Sequence, residues 1–577
     1  MMKKTIIMTL GAALLMMTFS SCREETDKLM TYDHNDMMAF SKADTCFAEK
    51  FKIMWNGLNQ YYALWDYEDE YGLDWDAVYD EYLPQFEALD KKETVTDEEL
   101  KELMGKVCSP LHDGHLAVVF SNHTTGTEEV MYLPSEDRVV KHDDYEIAMK
   151  YQSSLKYYSQ VANGEVETDS NGNPIVLQHS TSITGLIGSV LKEKGKGLDW
   201  VSTQIEQLST LPNPTAAQTL RLDSLKTLEE ELSAIKMNFS LDVVSRYNEL
   251  VTLYASLHVP GLEYFDPGFT DKGIDVKFAL LKGNIAYFQF SGFYLTAYLV
   301  DEAAKLLFDV SNPITQNHIK AIEEVWTAWF NTVQQLHKAG TLGGVIIDLR
   351  GNGGGMQADG YYVTGSLLPE GGSPFSYSRF KRGTGRYDYS TLTLNYLKTM
   401  EADKHEVITE PVVVMTNCHS LSMAEITTIV VRSMENGTHI GKRSKGGICG
   451  LTSDNSTFTN NYMGHIGERH VTPVYVYLPS VAAFTLDHKI IEGEGITPDI
   501  EVDLNEAEFV STGKDSQLDR ALQFLRTGNY HGTRLFISPH HLIIRTSGKS
   551  AHHAHGSERK RNDFFCIHRY SSLHFFR

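Results

Sequence analysis

Cysteine is scarce: there are six in 577 residues, at positions 22, 46, 108, 418, 449 and 566, with no CxxC pair or zinc-ligand spacing among them. That excludes a disulfide scaffold and leaves room for one or two bridges at most. Excess positive charge is missing as well. Acids outnumber bases 75 to 52, a formal charge of −23, which argues against a surface built for nucleic acid or anionic membrane. HExxH, GxGxxG and GxxxxGK[ST] are all absent, so zincin, dinucleotide and P-loop chemistry have no motif to rest on. What is plentiful is core material, 42% hydrophobic and 11% aromatic residues. This rules out disordered and fibrous classes, and the length predicts more than one domain.

Only one long apolar run occurs. Lys3 and Lys4 precede Thr5 to Phe19, a stretch long enough for the apolar region of a signal peptide and too short for a spanning helix. It ends in Ser20-Ser21-Cys22, which resembles a bacterial lipoprotein cleavage site. The resemblance implies a signal peptide over 1–22 and lipid acylation of Cys22. Arg23-Glu24-Glu25 is similar to the signal that sends some Gram-negative lipoproteins to the cell surface. The location implied is the outer membrane, with the chain facing the cell surface or the periplasm.

Beyond this segment the pattern changes three times. Over 23–135, Phe47, Phe51, Trp55, Leu58, Tyr62 and Trp65 recur at helical spacing, and Leu116 to Phe120 is suited to a strand. Residues 136–274 are rich in Leu, Lys, Glu and Gln, with turns at Asn171 to Pro174 and Pro212 to Pro214, and read as a helical insertion whose position suggests a role in shaping the cleft. From 275 to 525, strands at Asn284 to Phe290, Gly344 to Leu349 and Pro411 to Thr416 alternate with helices, which predicts an α/β layer around a buried sheet. The last stretch, 526–577, holds nine Lys or Arg, two acids and eight of the 23 histidines. It reads as an unstructured basic tail.

The chemistry concentrates in the α/β region. After the strand Val345-Ile346-Ile347 comes Asp348-Leu349-Arg350-Gly351-Asn352-Gly353-Gly354-Gly355, whose glycines leave backbone N–H groups uncovered for an anion or oxyanion. After the strand Pro411 to Thr416 comes Asn417-Cys418-His419-Ser420-Leu421-Ser422-Met423-Ala424-Glu425, leading into an apolar helix. A serine at such a junction presents its hydroxyl beside the unpartnered N–H of the next residue, although a serine there also serves as a helix N-cap. Cys418 and His419 offer a thiol alternative, but sequence neighbours seldom face each other.

Together these two motifs resemble the core of the tail-specific, or C-terminal processing, serine peptidases and their relatives, the tricorn core and the interphotoreceptor retinoid-binding proteins. The resemblance spans roughly 280 to 525. It implies a ββα-spiral catalytic domain of the crotonase/Clp-protease kind, with Ser422 as nucleophile and an oxyanion hole made by the Met423 N–H and one from the Gly353-Gly354 turn. The processing branch uses a lysine base, but Gly447 stands where that lysine would fall, leaving Lys445 as the nearest substitute. The tricorn-like branch uses a histidine oriented by a glutamate. Leu111-His112-Asp113-Gly114-His115 and Ile491-Glu492-Gly493-Glu494 resemble its two motifs, which makes His115 the base and Glu492 its support, with His112 and Glu494 as competitors. Gly114 replaces that branch's serine. The function implied is a lipid-anchored serine endopeptidase acting on peptides or proteins, with no metal or cofactor called for. The alternative is a catalytically silent relative that binds peptide, glycan or hydrophobic ligand in the same cleft.

Overall fold

The computed structural model describes residues 37–151, 165–235, 241–260, 262–265, 273–368, 372–382, 385–397, 405–450, 465–527, 534–537 and 542–545. The expected signal peptide and Cys22 lie outside them. The architecture is mixed α/β with a helical N-terminal region, as the sequence predicts. Phe47, Phe51, Trp55 and Leu58 are fully buried along the helix Phe47–Tyr61, and the stripe breaks at Tyr62 before a short helix, Trp65–Glu70. Asp74 and Thr96 cap the next two helices, Trp75–Leu89 and Asp97–Cys108, by accepting first-turn N–H groups.

A hairpin follows, Ala117–Asn122 with Thr127–Tyr132, and its first strand also pairs antiparallel with Val474–Tyr477 from far down the chain. Trp55, Val118, Ile448 and Val476 accordingly share one hydrophobic core. The loops following Cys108 are thus fastened to the region that carries Glu492.

Among the described residues the main sheet has seven strands, in the order Ile500–Glu501, Gly437–Gly441, Val412–Thr416, Gly344–Asp348, Ile285–Phe290, Asp275–Leu281 and Val176–Ser180. The first five run parallel and the last two join antiparallel. Helices cover both faces, so the central strands are continuous apolar runs rather than alternating ones. Ile322, Val325 and Trp329 of the helix Pro313–Lys338 pack on Phe288 and Val345 on one side. Leu518, Ala521 and Leu522 of the helix Ser516–Thr527 pack on Ile346 and Val413 on the other.

Three long helices, Ile183–Ser209, Ala216–Ala234 and Leu241–Leu253, lie within the expected insertion. They enclose a core of their own, with Val190, Leu225, Leu228 and Tyr247 at its centre. Val176–Ser180, within the same stretch, is instead a strand edging the main sheet. In the tail, the helix ends at Thr527, and the separate unit from His531 contains an antiparallel pair, Arg534–Ile537 with Leu542–Arg545, where the sequence suggested no structure. All four cysteines among the described residues are free, and no described helix is long and apolar enough to cross a membrane.

Candidate active site

Both motifs lie at the C-terminal ends of adjacent parallel strands, Gly344–Asp348 and Val412–Thr416, where open α/β sheets gather their loops. A set of buried hydrogen bonds fastens them together. Gly351 N–H donates to Asn417 Oδ1 at 2.8 Å, Ser420 Oγ donates to Leu349 O at 2.7 Å, and Leu421 N–H donates to Asn352 O at 3.0 Å. Arg350 anchors the turn from below, forked onto Asp348 at 2.6 Å and reaching Asp515 at 2.7 Å.

Ser422 opens the helix Met423–Ser433 with φ 60° and ψ −117°, a left-handed backbone that a serine adopts only under constraint. The constraint is visible next to it. Gly354 lies so close that a Cβ on it would come within 2.6 Å of Ser422 Cβ and 2.9 Å of Met423 N. As the first helical residue, Met423 has no intrahelical partner for its N–H. In the turn, Gly354 N–H is committed to Asn352 Oδ1 at 2.9 Å, while Gly353 is exposed with open space beside it.

Glu425 ties this serine to the neighbouring loop. Fully buried, its carboxylate accepts from Ser422 N–H (3.1 Å), Ser444 Oγ (2.6 Å), Gly446 N–H (2.9 Å) and Gly447 N–H (2.8 Å). Burial raises it to about 7, with the hydrogen bond from Ser444 pulling back. Gly447 touches both sides of the site: a Cβ there would strike Leu421 Cδ1 at 2.5 Å and come within 3.1 Å of Gly114 Cα. A lysine at that position would have to push the Leu421 side chain aside and crowd Gly114.

Glu492 holds the far side of the same loop. It is completely buried and accepts from Ile448 N–H (2.6 Å), Cys449 N–H (2.7 Å) and Gly114 N–H (2.8 Å). The side chain that could replace Gly114 would collide with Gly446 O and Gly447 Cα, both at 2.5 Å. Glu492 therefore reaches the histidine loop through its backbone. Beside it, His115 is half-buried, with Nδ1 shielded from solvent and lacking a partner among the described residues. Burial, with the Lys445 charge behind it, lowers its imidazole to about 4, so it is neutral at pH 7 and a weaker base than a free imidazole.

The competitors are committed elsewhere. His112 is held by Glu68, which accepts its backbone N–H at 2.8 Å and sits 2.7 Å from its Nδ1, and its ring lies 4.0 Å from that of Tyr71. Glu494 is exposed and accepts from the Tyr71 hydroxyl. Lys445 pairs with Glu136 at 2.6 Å. Cys418 is buried and its thiol is pushed up, by burial first and by Asp144 next, the opposite of an activated nucleophile. Two further buried acids, Glu425 and Asp113, hold the loops of this site. Glu425 is legible as the fourth residue of a Ser-x-x-Glu capping pattern. Asp113, fully buried, accepts from His115 N–H and Leu116 N–H through Oδ1.

Residues 314–502 match the model of a family described as Peptidase family S41. That span contains the glycine turn, Ser422 and Glu492, and leaves His115 outside. No curated protein matches the chain. Among solved structures, a protein assigned as a peptidase from Parabacteroides merdae is 16% identical, with 83% of this chain and 96% of that one covered and a TM-score of 0.41. Mature CPAF complexed with lactacystin is 11% identical, with coverage of 85% and 100% and a TM-score of 0.41. The tricorn protease is 19% identical over 43% of this chain and 18% of its own, with a TM-score of 0.24.

Proposed function

We propose that the chain is a serine endopeptidase that cleaves peptide bonds through an acyl-enzyme on Ser422. The observation that carries this reading is the packing of Gly354 against Ser422 and Met423 N, which puts a constrained serine, an unpartnered helix N–H and a glycine turn in one place. The family match over 314–502 supports it.

In this reading Ser422 Oγ attacks the substrate carbonyl carbon while its proton passes to the neutral imidazole of His115. The carbonyl oxygen gains the negative charge and takes hydrogen bonds from the N–H groups of Met423 and Gly353, since that of Gly354 is already used. Collapse expels the amine, which takes the proton from His115. Water then repeats the sequence on the ester and frees the acid. Glu492 acts at one remove, fixing the backbone on which His115 stands, as the third group of a triad fixes its base.

Acylation at Cys22 and an outer-membrane location complete the proposal on sequence grounds, with extracytoplasmic peptides or proteins as substrates. The test is hydrolysis of an unstructured protein such as casein, followed by mass spectrometry of the products. Cleavage by the wild type that is lost in Ser422→Ala is expected. Unaltered casein with wild-type protein shown to be folded would favour the binding-only alternative.

A further inference from the structure

A ring nitrogen of His115, a carboxylate oxygen of Asp113 and one of Glu492 all lie within 4.8 Å of one another. Among the described residues, two of the three side chains carry atoms with no partner. Asp113 spends Oδ1 on two backbone N–H groups, while its Oδ2 is buried without a partner. His115 Nδ1 is likewise buried and unpartnered. A buried polar atom left unpaired is costly, and two ionised carboxyls beside a neutral imidazole hold one ring N–H among several acceptors, so a cation or a further proton is needed to satisfy them.

We propose that Asp113, His115 and Glu492 form a binding site for a single divalent zinc ion, and that zinc there switches the proposed active site off. The donor set is one imidazole nitrogen and two carboxylate oxygens. This suits zinc, which accepts mixed N and O ligands at about 2.0–2.2 Å in a tetrahedral arrangement, with a water as the fourth ligand. Calcium and magnesium prefer all-oxygen shells of six or more. Small side-chain rotations bring ligands now up to 4.8 Å apart to the spacing around one ion. On binding, His115 gives its Nδ1 lone pair to the metal, the carboxyls bind as carboxylates, and any proton they held leaves to solvent. The remaining ring proton is then fixed on Nε2, so that nitrogen no longer accepts the Ser422 proton. The site is thus inhibitory, distinct from a catalytic metal that activates water. The inhibitory consequence rests on the function proposed above, whereas the binding itself does not.

The experiment is calorimetric titration of zinc chloride into the full-length protein, in parallel with Asp113→Asn. The histidines of the tail supply background binding common to both. Wild type is expected to take up one more equivalent than Asp113→Asn, tighter than the background by at least tenfold, and equal stoichiometry and affinity in two folded proteins would overturn the proposal. If Asp113→Asn does not fold, anomalous diffraction at the zinc edge from wild-type crystals decides: a peak among Asp113, His115 and Glu492 supports the site, and zinc found only at other histidines overturns it. Zinc should also slow labelling of Ser422 by a fluorophosphonate at least tenfold. A serine that never labels, with the extra equivalent still present, would count against the peptidase reading and leave the zinc site standing.

Discussion

Adding one methyl group at Gly354 tests whether the glycine turn exists to let the backbone close on Ser422. Gly354 has φ +87°, and a Cβ there would lie 2.6 Å from Ser422 Cβ, 2.7 Å from Leu421 O and 2.9 Å from Met423 N. None of these is the end of a flexible side chain that could swing away. Restoring an ordinary contact of 3.4 Å from 2.7 Å means parting the turn from the serine by about 0.7 Å. The left-handed backbone adds ~1–2 kcal/mol for an alanine. Misplacing a reacting group by about 1 Å costs on the order of 100-fold in rate. Gly354→Ala is therefore expected to lower the rate of fluorophosphonate labelling at Ser422 by about 30- to 100-fold, while urea denaturation registers a loss of ~2–5 kcal/mol, overpacking and backbone together. A folded variant that labels within about twofold of wild type would refute the idea that this close approach positions the nucleophile.

Three further perturbations read other parts of the site. Gly114→Ser, which restores the residue type found in the tricorn-like pattern, should lose ~1–3 kcal/mol because its side chain meets backbone at 2.5 Å; unchanged urea stability would show that the loop gives way freely. Glu425 has its folded-state value raised from 4.5 to about 7, so the native state holds this proton more tightly than the unfolded chain does. Its contribution to stability is present in full below pH 4.5 and lost as pH rises through about 7, by ~3 kcal/mol at most. Glu425→Gln removes that slope, and denaturation curves of both proteins across this range check it; parallel curves would mean that the four donors already keep the carboxyl ionised. Arg350→Met strands the buried carboxylates of Asp348 and Asp515 and should cost ~3–5 kcal/mol in urea, so a loss below ~1 kcal/mol would show that the pair of acids takes up a proton cheaply.

Much of the fold was legible because the responsible patterns are local. The helix at 47–61 follows from apolar spacing, and the strands at 344–348 and 412–416 follow from unbroken β-branched runs that only a sheet covered on both faces can bury. Val176–Ser180 was not legible: it is short, half-exposed and weakly alternating, and it becomes a strand only because Asp275–Leu281 offers an edge. The pairing of Ala117–Asn122 with Val474–Tyr477 joins segments separated by most of the chain, which no local periodicity reports. At the site, the positions of Ser422 and the glycine turn could be read from strand-to-helix junctions. Glu425 was legible only as a helix-capping residue; its wider role was not, because acidic residues are ordinarily exposed and its burial is met by the N–H groups of Gly446 and Gly447, from a loop beyond its own helix. Asp113 is instead held locally, by the N–H groups of His115 and Leu116, and nothing in its sequence neighbourhood signals that it is buried.

The central claim is that Ser422 is a nucleophile activated by His115. Labelling of the purified protein with a fluorophosphonate probe, with the modified residue mapped by mass spectrometry, tests it most directly. The account predicts modification at Ser422 in the wild type and its loss in both Ser422→Ala and His115→Ala. Labelling at Ser422 that persists undiminished in His115→Ala would contradict the assigned base, and a folded wild type with Ser422 unmodified would contradict the nucleophile.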